Sequence, residues 1–376
     1  MWGSTRGSGG DPVVPPVSVS VAYTYDLEAL ASGGPREEAE VKYSRENNPT
    51  TMLLEGRLAG LEGARWGLAF NSGMAAITAL LLYWRLGRGG RVVVERLSYG
   101  STRAAASWIL GDRLAVAGPP WDELLHEADK PGVGLVLVET MGNPTLRVPP
   151  LRDLARVCLE RDCVLAVDNT MASPVLARPL DLGAGLVVES LTKYIIGSND
   201  ALGGLIAGAD GILHVALWRA RRLLGSILQP REAYQALKGL ETLSLRVPHA
   251  SRTALEVARW LEESGLAERV YYPGLESHPD HHIARRILRG GYGGVVSFDL
   301  GSRERALALL SRLRRIRPAS SFGATQPLAS YPYASSHRNL PEEERERLGV
   351  TPGLVRLSVG VATPEEIIGD LEAALS

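Results

Sequence analysis

The strongest constraint on this chain is a recurrence. Short apolar segments, each stopping at a polar or aromatic residue, alternate with helical stretches. Trp66 to Phe70 runs into Ser72, Arg91 to Glu95 into Tyr99, and Gly134 to Glu139 into Asn143. Val164 to Val167 then runs into Asp168, and Val187 to Ser190 into Lys193. Alternation of this kind predicts an α/β fold with a mostly parallel sheet and helices on both faces. Ligands of such sheets bind outside the carboxyl ends of the strands. The polar stops therefore fall along one edge, over one crevice.

Among them Lys193 carries the most information. The chain has 41 Lys plus Arg but only four lysines: Lys42, Lys130, Lys193 and Lys238. Arginine supplies the ordinary surface charge, so a lysine closing an apolar strand reads as chosen for chemistry. An amine can lose its proton and attack a carbonyl; a guanidinium cannot. Asp168 closes a similar strand upstream. A Lys that forms a Schiff base and an Asp that pairs a pyridinium nitrogen are what pyridoxal phosphate requires. The alternative is an Asp–Lys ion pair that merely closes two strands.

Asn71-Ser72-Gly73-Met74 joins a strand directly to a helix. Free N–H groups and the positive dipole end would there face one point, as in an anion cradle, or the serine is an ordinary helix cap. The segment lacks the Gly-Lys-Ser/Thr of a P-loop, and Gly291-Tyr292-Gly293-Gly294 precedes a strand instead of opening a helix. His278-Pro279-Asp280-His281-His282 reads as a capped surface turn before an Arg-rich helix, and no metal is expected.

With 376 residues and 45% hydrophobic content, the chain can form large cores and two domains. The reading divides it into an arm over 1–45, a cofactor-binding domain over 46–235 and a smaller α+β domain over 236–376. Within these, Met1 to Pro16 reads as a loose arm, Gly33-Gly34-Pro35 as a turn and Thr51 as a helix N-cap. Two helices are expected over Arg231–Arg246 and Val247–Ser264. Net charge is −1, with no basic stripe to suggest nucleic acid. No apolar run approaches the ~18 residues of a membrane helix. Met1 to Gly10 lacks the apolar centre of a secretory signal, and two cysteines, Cys158 and Cys163, suit a reducing cytoplasm.

In combination the motifs resemble those of the pyridoxal-phosphate-dependent enzymes of Cys/Met metabolism: cystathionine γ-synthase and γ-lyase, methionine γ-lyase and the O-acylhomoserine sulfhydrylases. The resemblance runs from Tyr43 to the C-terminus. It rests on Tyr43-Ser44-Arg45 with Asn48-Pro49-Thr50, Ser72-Gly73-Met74, Tyr99-Gly100, Glu139-Thr140 with Asn143-Pro144-Thr145, and Val167-Asp168-Asn169-Thr170. Ser190-Leu191-Thr192-Lys193-Tyr194, Tyr272-Pro273-Gly274-Leu275 with His278-Pro279, and Arg356-Leu357-Ser358-Val359-Gly360 complete it.

The resemblance implies fold type I, like aspartate aminotransferase, with pyridoxal 5'-phosphate as cofactor and an amino acid bearing a γ-leaving group as substrate. It implies that Lys193 holds the cofactor and shuttles protons, that Asp168 keeps the ring nitrogen protonated, and that Tyr99 stacks on the ring and assists the leaving group. Asn143 would bond the ring hydroxyl. Gly73, Met74, Ser190 and Thr192 would cradle the phosphate, joined by Tyr43 and Arg45 from a neighbouring subunit of a homodimer or homotetramer. Arg356 would grip the substrate carboxylate, with Ser321 and Gln326 in the substrate loop. In that loop, Ser321-Phe322-Gly323-Ala324-Thr325-Gln326-Pro327-Leu328, the family's common acid is replaced by Gln326 and its second serine by Pro327. The change weakens the case for cystathionine, whose distal ammonium an acid attracts. Two other readings remain at this point: a catalytically silent regulatory protein that binds the cofactor, and an aminotransferase of the same fold.

Overall fold

The computed structural model describes residues 12–32, 39–338 and 340–376. The Gly33-Gly34-Pro35 turn and the first eleven residues of the arm lie outside them. The described residues form two sheets. The larger contains β1 (Trp66–Phe70), β2 (Arg91–Glu95), β3 (Leu114–Ala117), β4 (Val133–Glu139), β5 (Val164–Asp168), β6 (Leu186–Ser190) and β7 (Gly204–Gly208). Its order is β1-β7-β6-β5-β4-β2-β3. Only β7 is antiparallel to its neighbours; β2 to β6 pair in parallel. The second sheet, in the order β10-β11-β12-β9-β8, contains β8 (Arg269–Tyr271), β9 (Val295–Asp299), β10 (Arg317–Pro318), β11 (Leu328–Ser330) and β12 (Leu354–Ser358).

The strands hold because both faces of the large sheet are covered. Side chains of a strand alternate between faces, and here alternate residues feed two cores. Val93, Val136, Val138, Leu165 and Val167 enter one. Val92, Val94, Leu135, Leu137 and Ala166 enter the other. Each fully buried Val or Leu contributes about 1.5–3 kcal/mol relative to exposure.

Three local expectations are corrected. The helix expected to start at Thr51 starts earlier, over Pro49–Glu62: Asn48 is the cap, its side chain accepting from the Thr50 and Thr51 amides, and Pro49 fills the first turn. Thr51 lies inside and is buried. The two helices expected on either side of Val247 are one, Pro230–Glu263, with Pro248 in its interior. Proline costs a helix about 3 kcal/mol, but Leu243, Val247, Ala250, Ala254 and Val257 are all buried along it, and that packing keeps the rod intact.

The third correction is the His278–His282 segment, which is no surface turn. His278 and Asp280 are buried. Asp280 accepts from Arg147 Nε at 2.5 Å, Val148 N at 2.9 Å and Trp121 Nε1 at 2.9 Å. The segment thus clamps the loop after β4 to the chain between β8 and β9. Its partners lie more than a hundred residues away, beyond what local sequence reveals. Among the described residues no group of metal-ligating side chains gathers, and no helix is long and apolar enough to cross a membrane.

Candidate active site

The carboxyl edge of the large sheet faces the β10–β11 loop of the small one. Lys193 sits in the turn after β6, its own N–H bonded to Ser190 O at 3.2 Å and its carbonyl accepting from Gly197 N at 2.9 Å. Its Nζ donates to Ser321 Oγ at 3.0 Å and lies 5.1 Å from the Phe322 ring centre. Burial, with help from the nearby Arg356 charge, pulls the ammonium pKa down to about 8. Ser321 holds φ at 128°, a conformation that costs a residue with a side chain about 1–3 kcal/mol. Arg356 fixes it there: Nη2 donates to Ser321 O at 2.9 Å.

Arg356 lies in the middle of β12 and is almost fully buried. Its Nη1 donates to Asn143 Oδ1 at 3.0 Å, while its buried Nε has no acceptor among the described residues. One guanidinium thus ties the loop after β4 to the Ser321 turn and keeps a donor in reserve. Burial lowers its pKa to about 10, and Tyr99 is close enough to favour its charge. Tyr99 itself is 41% exposed, so its side chain stays accessible.

Asp168 closes β5. Thr170 donates to Oδ1 twice, from N at 3.0 Å and from Oγ1 at 2.5 Å. Thr170 Oγ1 in turn accepts from Ser190 N at 2.8 Å, which locks the ends of β5 and β6 together. Oδ2 has no donor among the described residues. Dense surroundings raise the proton affinity of Asp168, yet the residue keeps partial exposure. Behind it, Asn169 Nδ2 donates to Glu62 Oε1 at 3.3 Å. Glu62 and Glu189, both buried, lie within hydrogen-bonding reach of each other. Burial raises the proton affinity of both.

The strand-to-helix turn forms a cradle. Ser72 caps the Gly73–Tyr83 helix by accepting from Ala75 N at 3.1 Å. The N–H groups of Gly73 and Met74 meet no acceptor among the described residues. A Cβ on Gly73 would lie 2.9 Å from Ser190 Cβ, and one on Gly204 would lie 2.2 Å from the Ser72 carbonyl oxygen. These two glycines allow the helix start to close on the end of β6. The result brings two free amides to the Ser190 side chain, with Thr192 two residues further on. That donor set suits a phosphate. With an amine at Lys193, an unpaired carboxylate oxygen at Asp168 and an amide side chain at Asn143, it fits the cofactor expected from sequence.

Gln326 Oε1 accepts from Asn199 Nδ2 at 3.0 Å. Both line a cavity of about 1030 Å³ that also reaches Lys193, Thr192, Ser321 and Arg317. Tyr43 and Arg45 are not brought in. They stack on each other at the surface, 5.2 Å from guanidinium to ring centre, and make no hydrogen bond to the site residues of their own chain. Sequence reasoning missed the parts played by Thr170, Phe322 and Gly204. Thr170, two residues after Asp168, carries a readable Asx-turn signal; Phe322 and Gly204 act only through contacts made on folding.

The family described as Cys/Met metabolism PLP-dependent enzyme matches residues 3–376. A cystathionine gamma-lyase of Bacillus subtilis is 35% identical over 370 residues, 97% of this chain and 96% of that protein. A cystathionine beta-lyase of the same organism is 38% identical over 338 residues, 89% of this chain and 85% of that protein. A solved cystathionine gamma synthase from Xanthomonas oryzae, in complex with aminoacrylate and cysteine, superposes with a TM-score of 0.87 at 33% identity, covering 98% of this chain and 94% of that one.

Proposed function

Because the chain belongs to the Cys/Met metabolism PLP-dependent enzymes, we propose that it uses the Lys193 cleft for γ-elimination or γ-replacement on a homoserine-derived or sulfur-containing amino acid. The observation that carries this reading is the Lys193–Ser321–Arg356–Asn143 chain of hydrogen bonds. It sets an amine of lowered pKa beside a buried guanidinium with a spare donor.

Gly73, Met74, Ser190 and Thr192 would hold the phosphate of the cofactor, Asp168 Oδ2 its ring nitrogen and Asn143 its ring hydroxyl. When bound, pyridoxal 5'-phosphate supplies an aldehyde for amines and a cationic ring that accepts electron density from the substrate Cα. Arg356 receives the substrate α-carboxylate, a pairing its planar fork favours. Lys193 then carries protons at Nζ, taking the one on Cα; a pKa near 8 keeps part of the population neutral at working pH. Ser321 Oγ, held by its strained turn, orients Nζ between transfers. Tyr99 covers the ring and serves the leaving group at Cγ.

The cavity beyond Lys193 takes the γ-substituent. Its Asn199–Gln326 pair offers hydrogen bonds without charge, and Asp200 and Glu232 line the same cavity with carboxylates that a distal ammonium could meet. We place Tyr43 and Arg45 at the phosphate of a partner subunit, in a homodimer or homotetramer. We place the enzyme in the cytoplasm, in keeping with its two free cysteines.

Purified enzyme given O-acylated homoserines, methionine and cystathionine, with and without cysteine or sulfide, tests the assignment. Formation of 2-oxobutanoate, or of a γ-substituted product, is expected. Pyruvate as the only keto acid from cystathionine, released with homocysteine and ammonia, would move the reaction to Cβ, the chemistry named for one of the relatives. A coloured protein inert to the whole panel would indicate a silent cofactor binder, and an amino group passed to an added keto acid would indicate an aminotransferase.

A further inference from the structure

We propose that Glu139 is a positioning residue: one carboxyl group holds the backbone amide of Tyr99 and faces that of Asn143, and so sets the gap between the two side chains that flank the cofactor ring. The proposal rests on the placement of Tyr99 and Asn143 given above. Tyr99 lies four residues beyond β2 and Asn143 four beyond β4, so two separate loops must be brought into register. Glu139 is the last residue of β4 and is buried. Tyr99 N donates to its Oε1 at 2.6 Å. The Asn143 amide lies near enough to the same carboxyl group to favour its charged form.

The position is costly for an acid. Burial raises the proton affinity of Glu139 well above the ordinary carboxylate range, and the neighbouring Asp168 and Glu95 raise it further. Among the described residues no lysine or arginine pairs with it. The two amides are what favours its charge. Glu95 braces the arrangement from the next strand: its Oε2 accepts from Glu139 N at 2.8 Å, and its Oε1 is buried without a partner. The effect extends to the substrate side, because Asn143 Oδ1 accepts from Arg356. A glutamine at 139 could still accept from one amide, but its NH2 would face the other donor to donor. An aspartate would keep the carboxyl group and fall one carbon short.

The test compares wild type, Glu139→Gln and Glu139→Asp, first without cofactor. With 15N-labelled tyrosine and asparagine, amide exchange at Tyr99 and Asn143 is expected to be slow in wild type and at least tenfold faster in both variants. On loading, the variants should show at least a tenfold higher cofactor Kd and a reduced visible circular dichroism band, with melting little changed. Wild-type exchange rates at both amides in either variant, or wild-type Kd and dichroism, would overturn the proposal. If neither variant folds, the wild type decides: Tyr99 and Asn143 amides exchanging as fast as an unbonded surface amide would overturn it. The cofactor-free measurement does not depend on the reaction catalysed, so failure of the γ-chemistry and failure of this proposal are separable.

Discussion

Lys193 Nζ donates to Ser321 Oγ across 3.0 Å, and with that bond an amine at the edge of the large sheet is tied to a strained turn of the small one. The two residues are 128 positions apart. The bond does little to hold a positive charge, since burial and the neighbouring Arg356 both favour the neutral amine.

That imbalance is measurable as stability. In the folded protein the Lys193 pKa is about 8, against about 10.4 for a free lysine. Between these values the unfolded chain binds more protons, so the contribution of this group to stability rises with pH across the window. Below about pH 8 it is a constant penalty. Cofactor-free Lys193→Met is therefore expected to be more stable than wild type at pH 7, by about 1–3 kcal/mol, and the gain should fade towards pH 10.5. Urea denaturation at both pH values reads this directly; a less stable variant at pH 7 would mean that the ammonium is well solvated.

Arg356 should matter for binding more than for folding of the sheet. Arg356→Lys keeps a charge but loses the planar fork and one of the ties to Asn143 and Ser321. A rise in substrate KM of about 10²-fold is expected, given about 1.4 kcal/mol per tenfold change and charge-assisted bonds of about 1.5–3 kcal/mol. Amines lacking the α-carboxylate should bind both proteins alike. Equal KM values for wild type and variant would remove Arg356 from the carboxylate site.

A separate prediction concerns the buried pair Arg221–Glu55. Arg221 also donates to Ala69 O at 3.1 Å and Glu46 O at 2.9 Å, and Glu55 accepts from Ala69 N at 2.8 Å. Removing the cation strands a buried carboxylate. Arg221→Met is expected to cost about 3–5 kcal/mol, seen as a lower denaturation midpoint. The double variant Arg221→Met, Glu55→Gln should recover part of the loss.

These cases mark what the sequence could and could not reveal. β1, β2, β4, β5 and β6 were legible because apolar runs of Val, Leu and Ala end at polar stops; β3 carries no such stop and was not. Lys193 and Asp168 were legible because each closes such a run. Asn143 was legible as a polar stop and its role, like Arg356 and Ser321, came from the family resemblance; folding joins the three in one network. Pairings across long stretches of chain were not legible. Arg147 with Asp280 and Arg221 with Glu55 look like ordinary surface charge until the fold buries them. Pro248 misled for the opposite reason: its local signal is strong, and the packing along the Pro230–Glu263 helix overrides it.

The placement of Tyr43 and Arg45 in a partner's site makes a prediction about mixed oligomers. Arg45→Ala and Lys193→Ala homo-oligomers should each be nearly inactive. Unfolded together and refolded as a mixture, they should regain activity, because some hybrids contain one site with both an intact Lys193 and an intact partner Arg45. A mixture no more active than its parents would place Arg45 outside the partner's site.

The most direct measurement is chemical trapping. Holoenzyme treated with borohydride and digested should carry the reduced cofactor on the peptide containing Lys193, and Lys193→Ala should carry none. Label on Lys42, Lys130 or Lys238, or an unlabelled wild-type chain, would contradict the assignment of the cleft.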